Sequence, residues 1–187
     1  MSFALDYRTR LLSALDTIDL AKVEELIELF RCARDEDRQI FFCGNGGSAS
    51  TSNHIVCDIV KGASLGKPKR FRVMALSESI PTMTAYANDV GYEVVFAEQL
   101  KNFARPGDVV VAVSGSGNSP NVVRALECAN EMGCRTVALT GRDGGRLGPL
   151  AELNVHVADN HMGRIEDGHM VVLHMLAYYF MDAEGTA

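Results

Sequence analysis

The sequence predicts an α/β fold, a three-layer sandwich in which a five-stranded parallel sheet lies between two layers of helices. Two observations carry this. Short, nearly continuous apolar runs alternate with helical periodicity from about residue 37 onward, the pattern of parallel strands buried on both faces. Twice, such a run passes directly into glycines and serines and then into a helix, and in open parallel sheets ligands bind beyond the carboxyl ends of the strands.

The elements follow in order. An N-terminal helical arm occupies 1–36, with apolar residues at helical spacing over 4–34: Leu11, Leu12, Leu15 and Ile18, then Val23, Leu26, Ile27 and Phe30. Asp19 is placed to cap the second of two helices there. Such an amphipathic arm covers a sheet or pairs with a copy of itself, and is assigned to oligomerisation. The sheet domain, 37–187, has strands at 39–43, 71–76, 108–113, 136–139 and 153–157 and helices at 48–63, 80–88, 93–103, 119–132 and 164–182.

Composition excludes several classes. The chain has 187 residues, enough for one domain with a full core, and a net charge of -6, which argues against nucleic acid as a partner. The one basic run, Lys67 to Arg72, reads as a solvated loop. Five cysteines lack metal-finger spacing and read as reduced residues, several of them on apolar faces. The first residues hold no apolar signal core, and no apolar run nears ~18 residues; no membrane partner and a cytoplasmic location are expected.

The first loop is Gly44-Asn45-Gly46-Gly47-Ser48 and the second Ser114-Gly115-Ser116-Gly117-Asn118-Ser119-Pro120. Glycines let successive N–H groups converge on an anion, and the helix opening after each loop adds its positive end. Ser119 reads as an N-cap with Pro120 as the first helical residue. Hydroxyls at Ser114, Ser116 and Ser119 suit phosphate oxygens. A third glycine loop, Thr140 to Gly145, falls at the same edge. The first loop also satisfies a relaxed G-x-G-x-x-A dinucleotide pattern, with Glu78 available for a ribose, so a nicotinamide dehydrogenase is one reading; a Walker loop is excluded by the absence of Gly-Lys-Ser/Thr. Two serine-rich cradles favour a phosphorylated small molecule.

Chemistry needs more than a cradle. His54 and Asp58 are four apart and share a helix face, while Glu166, Asp167, His169 and His174 crowd the last helix. Histidine with carboxylate fits acid/base work or a divalent metal. His169 and His174 lie roughly 140° apart round a helix, so they do not face one site; His156 and His161 are read as structural.

Gly44 to Ser48, Asn88-Asp89, Ser114 to Ser119, Leu139 to Gly145 and Arg164-Ile165-Glu166 occur in this order. Together they resemble the sugar isomerase (SIS) domain family, and within it the phosphoheptose isomerases, over nearly the whole chain. The resemblance implies a flavodoxin-like sheet, a homotetramer with its N-terminal helices in a bundle, active sites at subunit interfaces, and conversion of sedoheptulose 7-phosphate to D-glycero-D-manno-heptose 7-phosphate. It implies that Asn45, Gly46, Gly47 and Ser48 line the sugar with Asn88 and Asp89 opposite, that Ser114, Gly115, Ser116 and Ser119 hold the phosphate, and that His54, Asp58, Glu166 and His174 hold a divalent metal, usually zinc, with Glu166 also reaching substrate.

Three positions depart from the pattern that the resemblance carries: Asp58 stands where glutamate is common, Glu166 where glutamine is, and Gly163 where an aspartate often precedes the arginine. Ketose–aldose isomerisation needs a base near C1 and C2, an acid for the oxygen and stabilisation of the oxyanion; Asp58 and His174 are the candidates for acid and base. Alternatives are a non-enzymatic relative that binds a replication initiator, and an isomerase or sensor for another sugar phosphate. Relatives of the initiator-binding kind lack the acid at Asp58 and the histidine at His174.

Overall fold

The computed structural model describes residues 2–184, so Met1 of the expected arm and 185–187 of the expected sheet domain lie outside the described residues. Its strands are β1 (Gln39–Gly44), β2 (Arg72–Ala75), β3 (Val109–Ser114), β4 (Arg135–Gly141) and β5 (Leu153–Val157). They form one parallel sheet in the order β2-β1-β3-β4-β5, as the apolar runs predict. All six residues of β3 are buried, which is what helices on both faces demand.

The helices are α1 (Phe3–Leu15), α2 (Leu20–Asp35), α3 (Gly47–Cys57), α4 (Ile80–Asp89), α5 (Ala97–Phe103), α6 (Pro120–Glu131), α7 (Leu147–Leu150) and α8 (Met162–Tyr178). Alternate strand residues sort into two cores. Ile40, Phe42, Val111, Leu139 and Val155 pack with α2, α3 and α8, whereas Phe41, Cys43, Val110 and Ala138 pack with α5 and α6. The period-2 geometry of a strand sends neighbours to opposite faces. The arm shares the first core: Ala14, Ile18, Val23, Leu26, Ile27 and Phe30 are all buried in it. Asp19 caps α2 as expected, accepting from Ala21 N at 3.0 Å.

Departures from expectation are local. The helix over 48–63 is α3 followed by a π-turn at Asp58–Gly62, and the one over 93–103 is a 3₁₀ turn, Tyr92–Val94, followed by α5. The short α7 contains Gly148 and Pro149, breakers that hide it from periodicity. Cys32 and Cys57 are exposed rather than core. Burial pushes the Cys43 thiol up to about 12 and that of Cys134 up to about 11; both stay protonated and act as small apolar residues. The basic run is a largely exposed loop over 67–70 that leads through the buried Phe71 into β2, with Lys69 beside Asp35 and Arg72, the first residue of β2, beside Asp37.

The turn between β5 and α8 sets where the last helix starts. Arg164 Nε and Nη2 donate to the two carboxylate oxygens of Asp159 at 2.6 and 2.8 Å. His161 N donates to the same carboxylate at 2.8 Å, and Arg142 N donates to the Asp159 carbonyl at 2.9 Å. Tyr7 of α1 donates to Asp167 at 2.6 Å, fastening the arm to the second turn of α8.

The Arg164 hydrogen bonds hold the Asp159 carboxyl down at about 2. A depressed carboxylate contributes stability above its unfolded pKa of ~3.9 and loses it as pH falls through the folded value. Asp159→Asn is therefore expected to lower stability at pH 7 by about 2 kcal/mol, with the gap between variant and parent closing as pH falls from about 4 to about 2. Urea denaturation across that range measures it, and a gap independent of pH contradicts it.

Candidate active site

Because β1 and β3 are neighbours in the sheet, the two glycine–serine loops that follow them open side by side. A cavity of about 260 Å³ lies between, lined by Asn45, Gly46, Gly47, Ser48, Val113, Ser114, Gly115, Ser116, Ser119, Met162 and Glu166. In order 2-1-3-4-5 this is the point where the chain reverses its winding direction, and ligands bind there.

Each loop is shaped for a ligand. Gly46 occupies the N-cap of α3 at φ 52, a left-handed conformation that glycine adopts without strain. It brings no side chain to cap the helix, so the first N–H groups of α3 stay available at the cavity. In the second loop Ser119 is the N-cap residue of α6, but its hydroxyl caps nothing in the helix; it lies 3.4 Å from Ser114 Oγ, which is 3.5 Å from Ser116 Oγ. Three hydroxyls thus cluster beside the positive end of α6. The third glycine loop is the buttress of the second. Gly117 sits at φ +64, and a Cβ there would stand 2.6 Å from the Gly144 carbonyl carbon. Leu147 N donates to Gly117 O at 3.0 Å and Arg146 N to Asn118 Oδ1 at 3.1 Å.

A larger groove, about 670 Å³, lies at the opposite end of the sheet between α2 and the starts of β4 and β5. Glu24, Glu25, Glu28 and Glu152 line it against Arg135, a balance that repels an anionic ligand.

Helices α3 and α8 run side by side in the same direction. At their starts Glu166 covers Gly47 so closely that a Cβ there would lie 2.7 Å from the Glu166 Cδ. Two turns on, His54 Nε2 lies 3.0 Å from His174 Nε2 and 3.3 Å from Asp58 Oδ2, with His174 Nε2 3.7 Å from the same oxygen. Zinc ligands at ~2.0–2.1 Å in tetrahedral array stand about 3.3 Å apart, so two imidazoles and a carboxylate at these separations fit a divalent transition metal. Asp58 is also the first residue of the π-turn, a local widening that recurs at functional sites.

Three of the expected quartet meet within one protomer. His54, Asp58 and His174 come together, but Glu166 does not join them. Both Glu166 and His174 belong to one continuous helix, and eight residues of rise separate them by about 12 Å. Glu166 lines the loop cavity instead. Asn88 and Asp89 end α4, which has no fully buried residue, and neither lines the cavity of its own protomer. His169 is buried, donating from Nε2 to the Thr140 carbonyl at 3.0 Å; burial pushes its pKa down to about 4, so it is a neutral structural group. His156 bonds the Thr140 hydroxyl at 2.9 Å. Sequence reading missed Met162, Asn121 and Tyr92; Asn121, two residues past Ser119, had a positional signal, and the others had none.

Residues 5–141 match the model of the SIS domain. The chain belongs to the SIS domain family. It is 40% identical over 154 residues to the phosphoheptose isomerase of Akkermansia muciniphila, covering 82% of this chain and 81% of that one. With the phosphoheptose isomerase of Geotalea daltonii it shares 37% identity over 155 residues, covering 83% and 80%. The structure of the Neisseria gonorrhoeae phosphoheptose isomerase superposes on this SIS domain protein with a TM-score of 0.86 at 29% identity, covering 95% of this chain and 94% of that one. Among the described residues, no helix is long and apolar enough to cross a membrane.

Proposed function

We propose that the protein is a phosphosugar isomerase that interconverts sedoheptulose 7-phosphate and D-glycero-D-manno-heptose 7-phosphate. The observation that carries this is the cluster of Ser114, Ser116 and Ser119 hydroxyls at the N-terminus of α6, facing the first loop in a family whose relatives bear the name phosphoheptose isomerase. An initiator-binding role gains no support from a site that retains Asp58 and His174.

The phosphate is assigned to Ser114, Gly115, Ser116 and Ser119, where hydroxyls and the helix terminus meet a dianion. Asn45, Gly46, Gly47, Ser48 and Glu166 line the sugar. The triad lies about 10.5 Å along α3 from Gly47, seven residues of helical rise. The reacting C1 and C2 stand at the far end of the substrate from its 7-phosphate, and this proposal places them at the triad. There Asp58 takes the proton from one carbon and returns it to the other through an enediol, while His174 moves a proton at the oxygens. His54 holds both in register. A divalent metal at His54, Asp58 and His174, zinc by this proposal, would supply Lewis-acid polarisation of the carbonyl.

Replacing both Ser116 and Ser119 by alanine is expected to weaken sugar-phosphate binding by roughly 1–3 kcal/mol per hydroxyl; a folded double variant with parental affinity removes the phosphate assignment. Protein purified without chelator should carry close to one equivalent of transition metal by elemental analysis and lose isomerisation of sedoheptulose 7-phosphate on chelation. Less than a tenth of an equivalent, with activity untouched by chelator, leaves Asp58 and His174 as a metal-free acid/base pair.

Assembly belongs to the same proposal. Phe3, Leu5, Leu12 and Leu20 of the arm are exposed, and no residue of α4 is fully buried within the protomer. We assign these faces to a cytoplasmic homotetramer in which Asn88 and Asp89 meet the site of another copy. Light scattering at micromolar concentration should return a mass near four chains; a monomer refutes it.

A further inference from the structure

Asn45 is held by a network that fixes which end of its amide can meet a ligand. Its origin is the backbone of α6: Val122 N donates to Asn121 Oδ1 at 3.0 Å. That bond makes the oxygen of the Asn121 amide face the helix terminus, an assignment that rests on the hydrogen-bond network. The same Oδ1 accepts from Asn45 Nδ2 at 2.8 Å, and Asn121 Nδ2 donates back to Asn45 Oδ1 at 2.8 Å. Tyr92 then donates its hydroxyl to Asn45 Oδ1 at 2.9 Å. A carboxamide oxygen has two lone pairs and its nitrogen two hydrogens. Both acceptor positions of Asn45 are therefore occupied, one of its two N–H groups is occupied, and a single N–H is left at the cavity.

We infer that Asn45 acts on the bound sugar phosphate only as a hydrogen-bond donor, and that Asn121 and Tyr92 are positioning residues that impose this polarity. Asn121 is 1% exposed and cannot itself meet a ligand; it does not line the cavity, and neither does Tyr92. Their effect passes through Asn45, which does. With the network intact, the free N–H favours ligand oxygens that carry lone pairs or developing negative charge, and turning the amide to offer its oxygen would break three hydrogen bonds at once. The inference rests on the sugar-phosphate reading of the cavity.

The test is a mutant cycle read as affinity for sedoheptulose 7-phosphate, measured by titration calorimetry at the isomerisation equilibrium, with melting temperatures confirming the fold. Asn121→Ala is expected to weaken binding roughly tenfold and Tyr92→Phe roughly threefold, the scale of a lost or misaligned hydrogen bond. In an Asn45→Ala background neither should weaken binding further, because residues that act through a third do not add once it is gone. Parental affinity in either folded single variant, or losses that add to Asn45→Ala, overturns the inference. If Asn121→Ala does not fold, Tyr92→Phe carries the test, since it removes an exposed hydroxyl and leaves the ring. A parent that binds the sugar phosphate without isomerising it refutes the isomerase reading and leaves the affinity comparison decisive for Asn45. A parent that does not bind it overturns both.

Discussion

The loop cavity depends on β1 and β3 being hydrogen-bonded neighbours. Their register, from Ile40 opposite Val109 to Gly44 opposite Val113, brings two loops that are 70 residues apart in sequence to one edge of the sheet. A parallel sheet allows this because every strand ends at the same edge, and the reversal of winding between β1 and β3 leaves a crevice there that no crossover helix fills. The close approaches around the second loop follow. Gly117 against Gly144, and Leu147 N on Gly117 O, turn the third glycine loop into a wall behind the serines. A methyl group at Gly117 would be both strained and obstructed, so its role is mechanical even though it belongs to a ligand-facing segment.

The second organising constraint is the parallel pairing of α3 with α8. It gives one helix pair two jobs, separated by two turns. At the starts of both helices Glu166 packs on Gly47 beside the loop cavity; further along, His54, Asp58 and His174 converge. The packing that makes this possible is ordinary core: Ile55, Val56 and Ile59 on one side and Val172, Leu173 and Leu176 on the other share a buried cluster with the sheet. The half-buried carboxylate of Asp58 stays within reach of both imidazoles because the apolar faces of the two helices are fully sequestered below it. The triad sits on the solvent side of this packed seam.

What the sequence by itself determined is whatever short-range chemistry dictates. Strand alternation, glycine conformations, the Asp19 cap and the opening of helices after the two cradles are all local, and they specify the α/β sandwich with its binding edge. His54 and Asp58 were legible as a pair because a helix makes residues four apart into neighbours, and the order of the glycine motifs carried the family resemblance. The separation of Glu166 from His174 is helical arithmetic of the same local kind, since eight residues at 1.5 Å of rise hold them about 12 Å apart on a regular helix.

Tertiary structure decided what depends on distance through space. Only the packing of α8 on α3 could show that His174 meets His54 while Glu166 goes to the loop cavity. Only the folded chain could reveal that Asn121 and Tyr92 clamp Asn45, a relation spanning 76 and 47 residues. The exposed ends of α4, with Asn88 and Asp89 outside the cavity, follow from the same cause. Hydrogen bonds and metal sites are set by a few tenths of an ångström between side chains on different elements, and no periodicity in a single chain encodes that separation.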